Sequence, residues 1–379
     1  VFLHFDWGMH RYVKKSTCSP GAGKEAGTPK RDAAPNAHHS ADRFLKRWKG
    51  CVEGPRDVAA EPQDVASQIV GAFVCTLDVG HQDFCVDTER TAVAMMLQTS
   101  GFFADFRRPR DSCTSVLASR RCLEECSPTD LREVARQQCS AGPYTLRRNT
   151  CGYPGQTVQD RTASIDSDTV VRNGKLSSRW RLDGRPEEDS FVEWSTIKDV
   201  HMQASHVRHW RRLPSGEPSR SVVLRRTPKP GDGAALLLIV GDHFMLVEEL
   251  PRPVPRAGSS PCAPGEPPCV AACALYGRVS DKWEVKVASL PWLEGARLFG
   301  GEDGLRRVTS VTSETVGILE ADGGGELGLG TDHWKILESS VKEQELAQLL
   351  AFEMEAQSRE QSPRTPVKRS CSAQSPIAA

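Results

Sequence analysis

Residues 91–110, T-A-V-A-M-M-L-Q-T-S-G-F-F-A-D-F-R-R-P-R, constrain the fold more than any other stretch of the chain. Residues 92–98 are apolar almost throughout, over a length that suits a strand better than a helix. Residues 102–107 then alternate: Phe102, Ala104 and Phe106 share one face, and Phe103, Asp105 and Arg107 share the other. Between the two runs Ser100-Gly101 supplies a turn that glycine makes without a Cβ clash, and Pro109 ends the second run. The stretch predicts a β-hairpin.

The same logic extends in both directions. Residues 69–77 and 83–87 read as strands joined through Asp78-Val79-Gly80. The clearest helix follows the hairpin: Ser127 caps it, Pro128 occupies the first turn, Asp130 stands three residues after the cap, and Gly142 is expected just past its end. From Tyr144 strands dominate, over 157–165, 169–172, 176–182, 191–197 and 201–211, with Asn173-Gly174, Asp183-Gly184 and Lys198-Asp199 as turns. Strands over 222–226, 234–240 and 243–248 come next, the last two joined by Gly241-Asp242. Residues 234–240 are apolar on both faces, so that strand is expected to be buried on both.

Residues 251–268 form a Pro, Gly and Ser loop, followed by a hairpin over 269–279 and 282–290. Weaker strands fall at 308–311, 316–319 and 334–337. A helix over 339–359 carries Leu346, Leu349, Leu350 and Phe352 as an apolar stripe. So many antiparallel strands with so little helical cover would leave open edges, which closure removes. The expectation is one all-β antiparallel barrel of roughly ten strands absorbing residues 65–292, with one short internal helix.

Composition bounds the function. The 379 residues carry 49 basic and 49 acidic side chains, a formal charge of zero that gives no reason to expect nucleic acid or a membrane surface as partner. No apolar run approaches the roughly 20 residues of a spanning helix. Hydrophobic residues make up 38%, as expected for a folded middle diluted by disordered segments over 1–64 and 361–379. The 13 cysteines, odd in number and scattered, predict reduced thiols and a cytoplasmic setting. Because the chain begins with Val, a targeting segment ahead of it stays open.

Five segments in order carry a family resemblance: M-L-Q-T-S-G-F-F-A-D-F-R-R-P at 96–109, C-S-P-T-D-L-R-E-V-A-R-Q at 126–137, H-V-R-H-W-R-R at 206–212, V-G-D-H-F-M at 240–245 and S-L-P-W-L-E-G at 289–295. Across 87–295 the chain resembles uncharacterised bacterial and protist proteins related to a lipocalin-like, casein-kinase-interacting barrel protein of yeast. The resemblance implies a calycin-type, lipocalin-like β-barrel, a cytoplasmic setting, a protein partner such as a kinase, and no established catalytic activity. Met95-Met96 stand where that group carries an aromatic pair, and a Trp-His expected after Cys151 is missing. The expected organisation is therefore a barrel domain over 65–338, a helix over 339–360 and a tail over 361–379.

Several constellations invite chemistry. Asp105 and Arg107 share a strand face; if it lines the barrel they form a polar patch able to orient a carboxylate or other polar ligand, with Gln98, Trp210 and His243 as companions. If it faces water, they are a solvated edge. His201, His206 and His209 suggest a metal, but on one strand His201 and His209 lie about 26 Å apart and His206 points the other way, so no metal site is expected. Cys122 and Cys126, like Cys269 and Cys273, lack close C-x-x-C spacing and read as structural thiols. The segment S-P-G-A-G-K at 19–24 resembles a phosphate loop but lacks its glycine spacing, its Ser or Thr after Lys, and a preceding strand. No nucleophile elbow occurs and no cofactor is expected. Ser362, Thr365 and Ser375, each before Pro, are candidate phosphorylation sites in the tail. These readings predict a non-catalytic barrel that binds a small apolar or amphipathic molecule; alternatives are a phospho-regulated interaction scaffold with a packed barrel and, third, an enzyme on the same barrel.

Overall fold

The computed structural model describes residues 65–79, 91–109, 117–148, 157–167, 177–195, 207–226, 233–250, 270–300, 304–320 and 332–350. Its strands divide between two sheets, and the expectation of one continuous cylinder is corrected to two closed ones. The first sheet contains β1 (Gly71–Val79), β2 (Thr91–Gln98), β3 (Phe102–Pro109), β4 (Gln138–Arg148), β5 (Thr157–Thr162), β6 (Ile165–Asp166), β7 (Ser177–Arg185), β8 (Ser190–Ser195) and β9 (Val207–Arg212). Its order is β3-β2-β1-β9-β8-β7-β5-β4, and β3 pairs again with β4, so among the described residues eight antiparallel strands close a barrel. The short β6 is an appendage on β4.

The second sheet contains β10 (Ser221–Arg226), β11 (Ala235–Val240), β12 (His243–Glu249), β13 (Ala272–Arg278), β14 (Val285–Ala288), β15 (Arg297–Phe299), β16 (Gly304–Val311), β17 (Thr315–Glu320) and β18 (Asp332–Ser339), with β18 returning to β10. Its outer strands meet through the Glu284–Arg297 bridge and through hydrogen bonds from Val285 N to Ala296 O and from Leu298 N to Trp283 O, both 2.8 Å. This sheet also curls back on itself.

One helix of five residues and two of eight complete the frame. Helix α1 (Val65–Ile69) packs against β7 and β8 and sends Ile69 into the first interior, closing that end of the barrel. Helix α2 (Pro128–Ala135) begins with the predicted capping box, Ser127 accepting from Asp130 N and Asp130 accepting from Ser127 N. Helix α3 (Glu343–Leu350) places Leu346, Leu349 and Leu350 in the apolar cluster of the second barrel; the predicted start at 339 is corrected, since Ser339 ends the last strand and 340–342 are not helical, while residues 351–359 lie outside the described residues.

The predicted hairpin is β2–β3, in register from Gln98 against Phe103 to Ala94 against Arg107. Three turn assignments are corrected. Asp78 and Val79, expected in a turn, lie within β1 and pair with Arg208 and Val207 of β9. Gly142 lies inside β4, where a Cβ would collide with the backbone of Thr162 and Ser164, so close strand approach explains it better than a helix end. Asp183-Gly184 also lies within a strand; the bare Gly184 backbone admits the Gln68 side chain, and the chain turns instead at Pro186–Glu188 and Asp189, whose φ is 47°. The predicted strands at 83–87 and 169–172, the loop at 251–268 and the segments 1–64 and 361–379 lie outside the described residues. Among the described residues, no helix is long and apolar enough to cross a membrane.

The two barrels share an apolar seam. Ala72, Leu97, Ala104, Phe106, Cys139, Ala141 and Ile165 from the first pack against Val223, Leu236, Leu238, Val240, Met245, Val247, Ala272 and Ala274 from the second. The double-faced character of β11 follows: Ala235, Leu237 and Ile239 enter the second interior while Leu236, Leu238 and Val240 meet the first barrel. Polar staples flank the seam, Thr99 Oγ1 donating to Glu338 at 2.9 Å and Arg108 to Glu294 at 2.5 Å.

Candidate functional site: the polar interior of the first barrel

Strand alternation decides which side chains enter the first barrel. On β3, Phe102, Ala104 and Phe106 go to the seam, so Phe103, Asp105 and Arg107 point inward. On β2 the seam takes Met95 and Leu97, leaving Met96 and Gln98 inside. A bulge between Cys75 and Leu77 resets β1 and turns Asp78 toward Arg208 on β9. Apolar walls come from Phe73, Met96, Phe103, Trp180, Leu182, Phe191 and Trp210.

Within these walls lies a network of charges. Arg161 donates to Glu193 at 2.7 Å and to the Gln159 amide oxygen at 2.8 Å. Arg208 reaches the other Glu193 oxygen at 3.2 Å and Asp78 at 3.3 Å. Both guanidinium groups lie over Trp180, at 5.6 and 4.4 Å from the ring centre. Arg107 donates to Asp105 at 2.6 Å, and the Ser140 hydroxyl donates to the other Asp105 oxygen, also at 2.6 Å. Three arginines thus face three carboxylates, those of Asp78, Asp105 and Glu193.

Burial opposes ionisation of Asp105, yet Arg107 and Ser140 outweigh it and hold the carboxyl below the ordinary range. Arg107 is likewise disfavoured by burial and more than restored by Asp105, Asp78 and Glu193. The half-buried Cys75 thiol, desolvated and near Asp78, is pushed up to about 12 and is no thiolate near neutrality. Burial also raises the Tyr144 hydroxyl to about 12 while it donates to the Thr99 carbonyl at 2.5 Å.

Four of the residues singled out from sequence, Gln98, Asp105, Arg107 and Trp210, come together in this interior. His243 does not join them. It shares the parity of Met245 and Val247 on β12, which puts it at the seam, where Nε2 donates to the Pro214 carbonyl at 2.8 Å and Nδ1 lies 2.7 Å from the Tyr276 hydroxyl. His209 contacts Thr76 and Ser190, while His201 and His206 lie outside the described residues, as do Cys269, Ser362, Thr365 and Ser375. Cys122 and Cys126 are free thiols.

Sequence reasoning missed Asp78, Gln159, Arg161, Glu193 and Arg208. The available signal was β5, T-V-Q-D-R-T, polar on both faces although it is a central strand.

One pH prediction follows from these groups. The folded value of His243 is lowered below the ordinary 6.5, chiefly by burial, so the unfolded chain binds its proton more readily and stability falls as pH drops below 6.5. Asp105 and Asp242 are held below the ordinary 3.8, so their contribution is present above that value and is lost as pH falls through their folded values. The urea midpoint is expected to be flat from pH 8 to 7, to decline below 6.5 and to drop more steeply below 4, with the upper decline reduced in His243→Gln. A midpoint that rises between pH 6.5 and 5 would contradict the assignment.

The chain matches no family model and no curated protein. Among solved structures it is similar to the crystal structure of the uncharacterized protein YLR301w from Saccharomyces cerevisiae, at 12% identity and a TM-score of 0.39, over 72% of this chain and 99% of that one.

Proposed function

We propose that the first barrel is the binding chamber of a non-catalytic protein that holds a small amphipathic molecule, and that the second barrel is its packed support. One observation carries this reading. Five buried nitrogen and oxygen atoms on the chamber wall have no hydrogen-bond partner of ordinary geometry: both amide atoms of Gln98, Gln159 Nε2, Trp210 Nε1 and Arg107 Nε. Each such buried group costs about 1–3 kcal/mol when unmet. Together they rival the whole stability of an ordinary domain, about 5–15 kcal/mol. A guest seated among them, with its apolar part against Phe103 and Trp180, removes that penalty.

The second interior differs in kind. Its apolar cluster is plugged by α3, its buried charges include Arg226 and Arg306, both paired with Glu248, and the unmet groups inside the apolar cluster are the indole N–H groups of Trp283 and Trp334, with no amide among them.

Native mass spectrometry of gently purified protein tests the reading, with an added small-molecule mass as the expected result. Saturation at about 100 times Kd adds roughly 2.7 kcal/mol, which should raise the melting temperature by roughly 5–10 °C. Arg107→Ala and Gln98→Leu should lose most of that rise. A clean apo mass, with no shift from any recovered or supplied molecule, favours instead the ligand-free scaffold regulated at Ser362, Thr365 and Ser375.

A further inference from the structure

We infer that the guest of the first barrel is uncharged and rich in hydrogen-bond acceptors, in the chemical class of lactones, ketones and esters. The inference rests on the chamber reading above and adds the guest's chemistry to it.

The unmet groups are unequal in kind. Gln159 accepts the Arg161 Nε–H through its amide oxygen, which fixes its nitrogen as the unmet donor. Trp210 Nε1 and Arg107 Nε can only donate. The Tyr144 proton goes to the Thr99 carbonyl, so the Tyr144 oxygen is left as acceptor for the Gln98 amide N–H, and the Gln98 carbonyl is the unmet acceptor. The wall therefore offers three donors with no partner, Gln159 Nε2, Trp210 Nε1 and Arg107 Nε, beside a Gln98 amide that faces the Tyr144 oxygen. The donors come from three strands, β3, β5 and β9, so a guest that meets several of them must carry acceptor atoms on more than one side. Ether and carbonyl oxygens do this without adding donors.

Charge excludes the ionic alternatives. Asp78, Asp105 and Glu193 already match Arg107, Arg161 and Arg208 one for one, with both Glu193 oxygens and both Asp105 oxygens engaged. A carboxylate or ammonium guest would be the unbalanced charge in a desolvated chamber.

Four bicyclic probes of similar size separate the possibilities by calorimetric titration into the full chain: coumarin, with two acceptor oxygens and no donor; naphthalene, with neither; indole, with a donor alone; and 2-naphthoate, an anion. Coumarin is expected to bind at least about tenfold more tightly than the other three. Trp210→Phe should weaken coumarin about tenfold and leave naphthalene unchanged, a pattern that general loss of folding cannot produce. Preference for indole or 2-naphthoate overturns the acceptor assignment while leaving the chamber standing. Failure of all four, in protein whose native mass also carries no guest, overturns the chamber itself.

Discussion

Glu193→Ala is expected to lower stability by about 3–5 kcal/mol, read as a fall in the urea midpoint at unchanged slope. Glu193 is fully buried, and each of its oxygens holds a different guanidinium, Arg161 at 2.7 Å and Arg208 at 3.2 Å. Removing it leaves the buried Arg161 without its carboxylate and Arg208 with Asp78 alone, and opens a gap in the interior opposite Leu182. Attraction across the network is not itself the source of the loss. Desolvation of buried charges offsets much of their pairing, and the penalty comes from stranding the partners. The triple replacement Glu193→Leu, Arg161→Met, Arg208→Met should therefore recover most of the stability that Glu193→Ala removes. A triple variant no more stable than Glu193→Ala would contradict that explanation.

Phe106→Ala should cost a similar amount, about 3–5 kcal/mol, although Phe106 points away from the interior of its own barrel. It is fully buried in the seam. An outward side chain elsewhere on the same barrel, Thr145, is exposed, and Thr145→Ala should change stability by less than about 0.5 kcal/mol. The seam, together with the Glu338 and Arg108 staples, makes the barrels one cooperative unit, so unfolding followed by tryptophan fluorescence and by circular dichroism should coincide. Separate transitions, or a small effect of Phe106→Ala, would mean that the barrels are independent.

Much of the strand content was legible because period-two alternation is local. The faces of residues 102–107 and the burial of both faces of 234–240 could be read from residue types alone. How many cylinders those strands build was not legible. A meander looks the same residue by residue whether it closes once or twice; closure is set by β9 returning to β1 and β18 returning to β10, pairings far apart in sequence. The connecting L-P-S-G-E-P-S at 213–219 looks like another hairpin loop, yet it joins the barrels: Gly216 accepts from Ala72 N at 2.9 Å and Ser215 from Asp242 N at 3.0 Å.

The site was half legible for the same reason. Alternation put Asp105 and Arg107 on one face, but nothing local says which face of a strand turns inward. Arg161 and Arg208 were passed over because a charged strand face usually meets water, and only the closed barrel reverses that. His243 was misjudged by the converse effect. Its face is buried, but against the neighbouring barrel.

The central claim is that the interior of the first barrel is completed by a guest. A crystal structure of protein purified without denaturation tests it most directly. The account predicts continuous density for a non-protein molecule within hydrogen-bond distance of Gln98, Gln159 and Trp210. An interior filled by its own side chains, with those three groups bonded to one another or to protein neighbours, would contradict it.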